Sequence, residues 1–283
     1  MRILVTGSRG LLGRTCLALT KDEHELFGFD IDDFSVTDCE AVDRTVSDLK
    51  PEVVLHCAAF TNVDGAEVES EQAMEVNATG TEYVARAAHR VGAAVVYVST
   101  DYVFDGESAE PYRETDEPQP HSRYGVSKLG GERGVAQACP GSYIIIRTAW
   151  LYGDGAGFVD WVCKGLDCGE TLRLVADHTG SPTYAADLAE ALFRLVEQGH
   201  RGVYHFVNRG ETSWLGFGRA IAELTGRPNS TFESVTAEEL GRAASRPSYS
   251  VLAVEKYEDA TDCRVPPWRD ALKRYLASVG RLQ

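Results

Sequence analysis

The sequence predicts a doubly wound α/β fold, a parallel sheet covered by helices on both faces. Three observations carry this. Runs rich in Val and Ile are apolar without alternation, as strands buried on both faces must be. Longer stretches with apolar residues at helical spacing separate them. A cluster of three glycines follows the first run directly, at the strand-to-helix turn where such folds approach a ligand most closely.

In order, "RILVTG" (2–7) is a buried strand, followed by the glycine loop and a helix near 11–20. "HELFGFD" (24–30) is a second strand, "EAVDRTVSDLK" (40–50) an amphipathic helix and "PEVVLHCAA" (51–59) a third strand. Residues 69–92 form one long helix, 93–100 a fourth strand, and 142–149 another strand after the helix that carries Tyr124. The second half is more broken, with helices over 158–170, 185–199, 213–226 and 268–280, a short strand and loop over 172–183 and a strand at 202–208. This predicts a main domain of 1–149 plus about 184–207, interleaved with a smaller α/β unit of about 150–183 plus 208–283. There is no internal repeat or low-complexity linker.

The net charge of −15 argues against nucleic acid or an anionic membrane as partner, since both need basic patches. No apolar run has the length of a membrane helix, and "MRILVTG" lacks the layout of a signal peptide. Seven scattered cysteines without a C-x-x-C pair predict reduced thiols and a cytoplasmic protein. Only 6 of 28 basic residues are lysine. An acidic, lysine-poor surface suits high salt, and a GC-rich genome exchanges Lys for Arg in the same way; both explanations stand.

"GSRGLLG" supplies Gly7, Gly10 and Gly13 at the start of a helix. Glycines are needed where a turn is tight and where backbone must approach a pyrophosphate, which the N–H groups of the helix start, Leu11 and Leu12 among them, then face. The pattern predicts a Rossmann-type dinucleotide site. Asp30 ends the second strand, where an acid bonds an adenosine ribose and favours NAD, whereas Arg9 inside the loop favours the 2′-phosphate of NADP. Asp38 either accepts from an adenine amino group or caps the helix that begins near Glu40. Ala58 and Ala59, and beyond them Thr61, follow the third strand, where small side chains let a cofactor lie close.

Tyr124 and Lys128 in "HSRYGVSK" lie one helical turn apart on one face. A nearby ammonium favours the phenolate and is expected to lower the phenol's pKa. Thr100 ends the fourth strand at the carboxyl edge, where open α/β sheets bind ligands, and its hydroxyl would fix a carbonyl that the phenol protonates. The set is the equipment for reducing a carbonyl, with hydride taken from NADPH or NADH.

With these motifs the chain resembles the extended short-chain dehydrogenase/reductases, and within them the dTDP-4-dehydrorhamnose reductase branch. The likeness runs nearly end to end, through "LVTGSRGLLG", "HCAAFTNVDGAE", "VNATGT", "VSTDYVFDG", "YGVSKLGGE", "RTAWLYG", "SRPSYSVL" and "PPWRDALKRYL". The resemblance implies Thr100, Tyr124 and Lys128 as the catalytic set, Lys128 also holding the nicotinamide ribose. It implies a dTDP-linked 4-keto-6-deoxy-hexose as substrate, with Val63, Asp101, Tyr102 and Trp150 lining the sugar pocket and Arg246 on the pyrophosphate. Each has a plainer alternative: Trp150 as core, Asp64 and Glu67 as surface or helix-start acids, Arg246 as the partner of some carboxylate.

The chain also departs from the pattern. A magnesium-bridged dimer known in part of the family needs a glutamate just after the glycine loop, and here stand Arg14 and Thr15, which predicts no structural metal and a monomer. Ala253 stands where the family's R-P-x-x-S-x-L-D motif has its acid. Dehydratases of this superfamily place Asp–Glu after the threonine, against Asp101–Tyr102 here. The remaining rivals are another nucleotide-sugar reductase or epimerase, and a non-catalytic cofactor-binding subunit like the regulatory partner of methionine adenosyltransferase.

Overall fold

A computed structural model describes residues 1–19, 24–155 and 157–283. In chain order its elements are β1 (Arg2–Thr6), α1 (Leu11–Ala18), β2 (Glu25–Phe29), α2 (Cys39–Leu49), β3 (Val53–His56), α3 (Gly65–Val68), α4 (Ser70–Met74), a π-helical turn (Glu75–Gly80), α5 (Thr81–Arg90), β4 (Ala94–Thr100), a 3₁₀ turn (Asp101–Val103), α6 (Arg123–Ala138) and β5 (Tyr143–Thr148). There follow β6 (Leu151–Tyr152), α7 (Phe158–Asp167), β7 (Leu172–Val175), β8 (Thr179–Gly180), β9 (Thr183–Tyr184), α8 (Ala185–Glu197), β10 (Gly202–His205), β11 (Thr212–Ser213), α9 (Trp214–Leu224), β12 (Phe232–Val235), α10 (Ala237–Leu240), α11 (Glu255–Thr261) and α12 (Trp268–Ser278). The expected first helix reached residue 20, which lies outside the described residues.

The main sheet has six parallel strands in the order β2-β1-β3-β4-β5-β10. Alternate residues of each central strand enter opposite layers. Ile3 and Val5, Val53 and Leu55, Val96, and Ile144 and Ile146 pack beneath α8 with Leu188, Leu192 and Phe193. Leu4, Val54, Val95 and Ile145 face the other way, against Val42, Val46 and Val84 of α2 and α5. Both faces are dry, which is why the strands read as unbroken apolar runs rather than as alternations. A second core gathers α7, α9 and α12 around Val162, Leu174, Phe217, Ile221, Leu272 and Tyr275. There β7 pairs in parallel with β12, which like α10 and α11 falls in the stretch between the two expected helices 213–226 and 268–280, where no element was assigned from the sequence.

The expected single helix over 69–92 is three segments joined through the π-helical turn. The turn has a structural use. Asn77, fully buried within it, donates to the Phe60 carbonyl (3.0 Å) and to Ser127 Oγ (2.9 Å), and accepts the Phe60 N–H (2.8 Å). One side chain thereby joins the loop after β3 to α6, and an extra residue in the helical turn is the usual way to aim such a group.

Helix α6 is locked to the sheet by a buried ion pair. Arg147 on β5 makes two hydrogen bonds to the Glu132 carboxylate (2.9 and 2.7 Å), which also accepts from Ser99 Oγ of β4 (2.5 Å). Both charged side chains are almost fully buried, at 4% and 6% exposure. Removing one partner strands the other's charge, so Glu132→Ala should cost about 3–5 kcal/mol in urea unfolding, whereas the double apolar replacement Glu132→Leu with Arg147→Met should recover most of it.

Candidate active site

The parallel sheet changes its direction of winding between β1 and β3, and a crevice opens there along the carboxyl ends of the strands. It holds a cavity of about 650 Å³. Of the residues singled out from the sequence, Gly7, Gly10, Leu11, Leu12, Gly13, Asp30, Ala58, Ala59, Thr61, Val63, Thr100, Asp101, Tyr102, Tyr124, Lys128 and Trp150 line it. Arg246 lies instead in a second cavity of about 700 Å³, lined also by Phe158, Trp161, Arg173, His178, Trp214 and Arg242. Tyr102 lines both.

The glycine loop is a cradle that side chains would fill. Gly7 has φ +66°, and a Cβ there would stand 2.6 Å from the Ala58 nitrogen. A Cβ on Gly13 would meet the Gly7 carbonyl oxygen at 2.2 Å, so α1 can start this close to β1 only with glycine. The N-cap of α1 is Gly10, with no side-chain cap, leaving first-turn N–H groups for an anion. His56 stiffens the base: its Nδ1 bonds Thr6 Oγ1 (2.7 Å) and its Nε2 bonds Thr81 Oγ1 (3.0 Å). Burial pushes this imidazole down to about 3, so it is neutral. Backbone N–H groups, apolar walls and Asp30 at the end of β2 together fit a dinucleotide with its pyrophosphate at the glycine loop.

Arg9 and Asp38 lie outside this cavity. The Arg9 guanidinium pairs with Asp32, while its backbone N–H donates to Asp30 Oδ2 (2.8 Å). Asp38 is the N-cap of α2 and accepts from Glu40 N (3.1 Å) and Ala41 N (3.0 Å), which is the capping alternative. Arg246 likewise has a carboxylate: two hydrogen bonds tie it to Asp64 (3.0 and 2.8 Å), and the guanidinium holds the Asp64 carboxyl down at about 2. Glu67 starts a helix, though not its own, by accepting the N–H of Arg123 at the head of α6 (2.8 Å).

The end of the cavity that holds Thr100, Tyr124 and Lys128 is built by α6 and the edge of β4. Ser122 caps α6 by accepting the Gly125 N–H (3.1 Å), which puts Tyr124 in the first turn. Gly125 is required, because a Cβ there would lie 2.1 Å from the Tyr102 carbonyl oxygen. The Tyr102 and Tyr124 rings meet edge to face at 5.5 Å. Lys128 Nζ donates to the Val98 carbonyl (2.6 Å) and sits 4.1 Å from the centre of the Tyr97 ring. Burial brings its pKa down to about 7 against the pull of Glu132.

One sequence expectation is overturned here. The Tyr124 phenol is not lowered; burial, and then the Asp101 charge, push it well above its usual value against the Thr100 hydroxyl. The lysine is pinned to the Val98 carbonyl, and its own charge is weakened by the burial that surrounds the phenol. A phenol held protonated is available as a proton donor.

Trp150 has φ +46°, a rare value for a bulky residue, and its ring stacks on Trp214 at 3.7 Å. Gly180 packs against the indole so closely that a Cβ would come within 2.6 Å of it. The stack spans the two cavities, Trp150 lining the first and Trp214 the second. Sequence reasoning missed Trp214 and Phe158, whose helical spacing is that of ordinary core aromatics, and also Asn77, Glu132 and Arg147. The "VNATGT" and "YGVSKLGGE" segments drew notice without showing what those side chains bond.

A parallel sheet with this loop at its switch point, and a Thr–Tyr–Lys set across its edge, is the architecture of an extended short-chain dehydrogenase/reductase. The family described as RmlD substrate binding domain matches residues 1–281. The spore coat polysaccharide biosynthesis protein SpsK of Bacillus subtilis is 40% identical over 97% of this chain and 96% of its own. The dTDP-4-dehydrorhamnose reductase of Mycobacterium tuberculosis (strain CDC 1551 / Oshkosh) is 40% identical over 98% of this chain and 93% of its own. The crystal structure of the dTDP-4-dehydrorhamnose reductase of Bacillus anthracis in complex with NADP superposes with a TM-score of 0.94 at 36% identity, covering 98% of this chain and 99% of that one. The chain belongs to this RmlD family of NAD(P)H-dependent oxidoreductases.

Asp101 gives the site a stability signature. It is 2% exposed, and burial raises its carboxyl from 3.8 to about 6 against the hydroxyls of Ser250 and Thr100. Between those values the folded chain holds a proton that the unfolded chain has released, so stability falls as pH rises through the window and the loss is complete above it. Asp101→Asn should abolish this dependence: its stability relative to the parent should rise by about 2–3 kcal/mol from pH 3.5 to pH 7.5, read by urea titrations at each pH.

Proposed function

We propose that the chain reduces the 4-keto group of dTDP-4-dehydro-L-rhamnose, giving dTDP-L-rhamnose, with Tyr124 as the proton donor. The observation that carries the reading is the junction at Tyr102, where a dinucleotide-shaped cavity holding Thr100, Tyr124 and Lys128 adjoins a second one lined by arginines and aromatic rings. A sugar nucleotide has the complementary parts: a carbonyl-bearing ring for the first, and a diphosphate and a base for the second.

Bound along the glycine loop, the reduced nicotinamide of NADPH or NADH supplies the hydride. With substrate bound, the Thr100 hydroxyl turns from Asp101 Oδ1 to donate to the keto oxygen, and Tyr124 passes its phenolic proton to that oxygen as negative charge builds there. Lys128 gains when the phenolate forms, because the new anion favours its ammonium, and it holds the nicotinamide ribose beside the phenol. Asp101 and Val63 bound the sugar, Tyr102 and Trp150 lie beside it, and Arg246, with Arg173 and Arg242 lining the same cavity, faces the diphosphate. On this reading 1–149 with about 184–207 serves the cofactor, and about 150–183 with 208–283 serves the sugar nucleotide. The acting form is a monomer in the cytoplasm, a reducing compartment with which seven free thiols are in keeping.

The test couples the purified chain to dTDP-4-keto-6-deoxyglucose and a 3,5-epimerase, following loss of reduced-cofactor absorbance with NADPH and NADH at low and molar salt. Oxidation should require the epimerase. Tyr124→Phe should bind cofactor as the parent does and lose about 10²–10⁴ in turnover. Full turnover in that variant would remove Tyr124 from the proton step.

A further inference from the structure

Thr148 ends β5 directly opposite Thr100 of β4 in the parallel register, so the two hydroxyl-bearing side chains stand side by side at the carboxyl edge. Thr148 lines the first cavity and is 7% exposed. Its neighbour is satisfied: Thr100 Oγ1 donates to Asp101 Oδ1 (3.0 Å) and accepts the Tyr102 N–H (3.2 Å). Thr148 Oγ1 is buried with no hydrogen-bond partner. An orphaned buried hydroxyl costs free energy, and valine would fill the same space without that cost while suiting a strand better. The hydroxyl therefore points to a ligand that completes it.

The strand order says which part of a ligand arrives there. Along the sheet edge the sequence is β2, β1, β3, β4, β5. Neighbouring strands are spaced about 4.8 Å apart, so about 19 Å separates the end of β2 from that of β5, close to the span of an extended dinucleotide. With the adenosine at Asp30 of β2 and the pyrophosphate at Gly7 after β1, the nicotinamide reaches β4 and β5. The polar group on that ring is its carboxamide, a donor and an acceptor, and a threonine hydroxyl can meet either role. Thr148 does not line the second cavity.

We propose that Thr148 is a cofactor-orienting residue whose hydroxyl hydrogen-bonds the nicotinamide carboxamide and so fixes which face of the ring is turned toward Tyr124 and the keto carbon. This rests on the reading of the first cavity as a dinucleotide site.

Isothermal titration of NADPH and of 2′-phospho-ADP-ribose, which lacks the nicotinamide, separates the two ideas. Thr148→Val should bind NADPH about five- to tenfold more weakly and the fragment as the parent does, and Thr148→Ser should restore NADPH binding. Equal affinities of parent and Thr148→Val for NADPH overturn the assignment, whether or not KM for the sugar nucleotide rises. Equal weakening of both ligands also overturns it, since the change would then be structural. Where the parent favours NADH, the same comparison is made with NADH and ADP-ribose; a parent chain that binds neither pair overturns the dinucleotide reading itself, and this assignment with it.

Discussion

Much of the structure hangs on the buried pair between Arg147 and Glu132. It is held across three elements: Glu132 belongs to α6, Arg147 to β5, and Ser99 of β4 supplies the third contact. Two charges brought out of water bind tightly only in the right geometry, so the pair admits one placement of α6 along the sheet. Tyr124 and Lys128 lie two turns and one turn before Glu132 on the same helix. Whatever fixes Glu132 fixes them too, so the Tyr124 end of the crevice takes its geometry from an ion pair that does not line it.

Close approach does the rest. Gly7, Gly13 and Gly125 each stand where a Cβ would overlap backbone. Removing side chains at these points lets β1, α1, α6 and the turn after β4 converge on one crevice, and Asn77 then ties the loop after β3 to α6. Several side chains of the cavity are held by neighbours: Lys128 by a carbonyl, Thr100 by Asp101, Trp150 by Trp214. Side chains held in this way lose little freedom when a ligand enters.

The sheet and the crevice were legible in the sequence because their signals are local. Unbroken apolar runs, glycines after β1, and Tyr124 and Lys128 one turn apart are each read within a few residues. What was not legible depends on residues far apart in the chain. The pKa of Tyr124 is governed by burial, which no spacing rule measures, and so the expected lowering was reversed. Position after β2 and in the loop does not show the contacts of Asp38 and Arg9: one caps α2 and the other pairs with Asp32. The π-helical turn could not be told from a regular helix, since its apolar pattern persists. The Trp150–Trp214 stack and the β7–β12 pair join segments that share no local sequence cue.

The place of β10 at the edge of the main sheet has a consequence for biosynthesis. Among the described residues its one strand partner is β5, yet the chain builds α7, β7 and α8 before Gly202–His205 is made. During translation, then, β5 emerges as a bare edge carrying Ile144, Ile145 and Ile146, all but fully buried in the finished protein. An unpaired apolar edge is a template for pairing with other chains. Docking of β10 closes that edge, so the main sheet is complete only once residues 202–205 have been made.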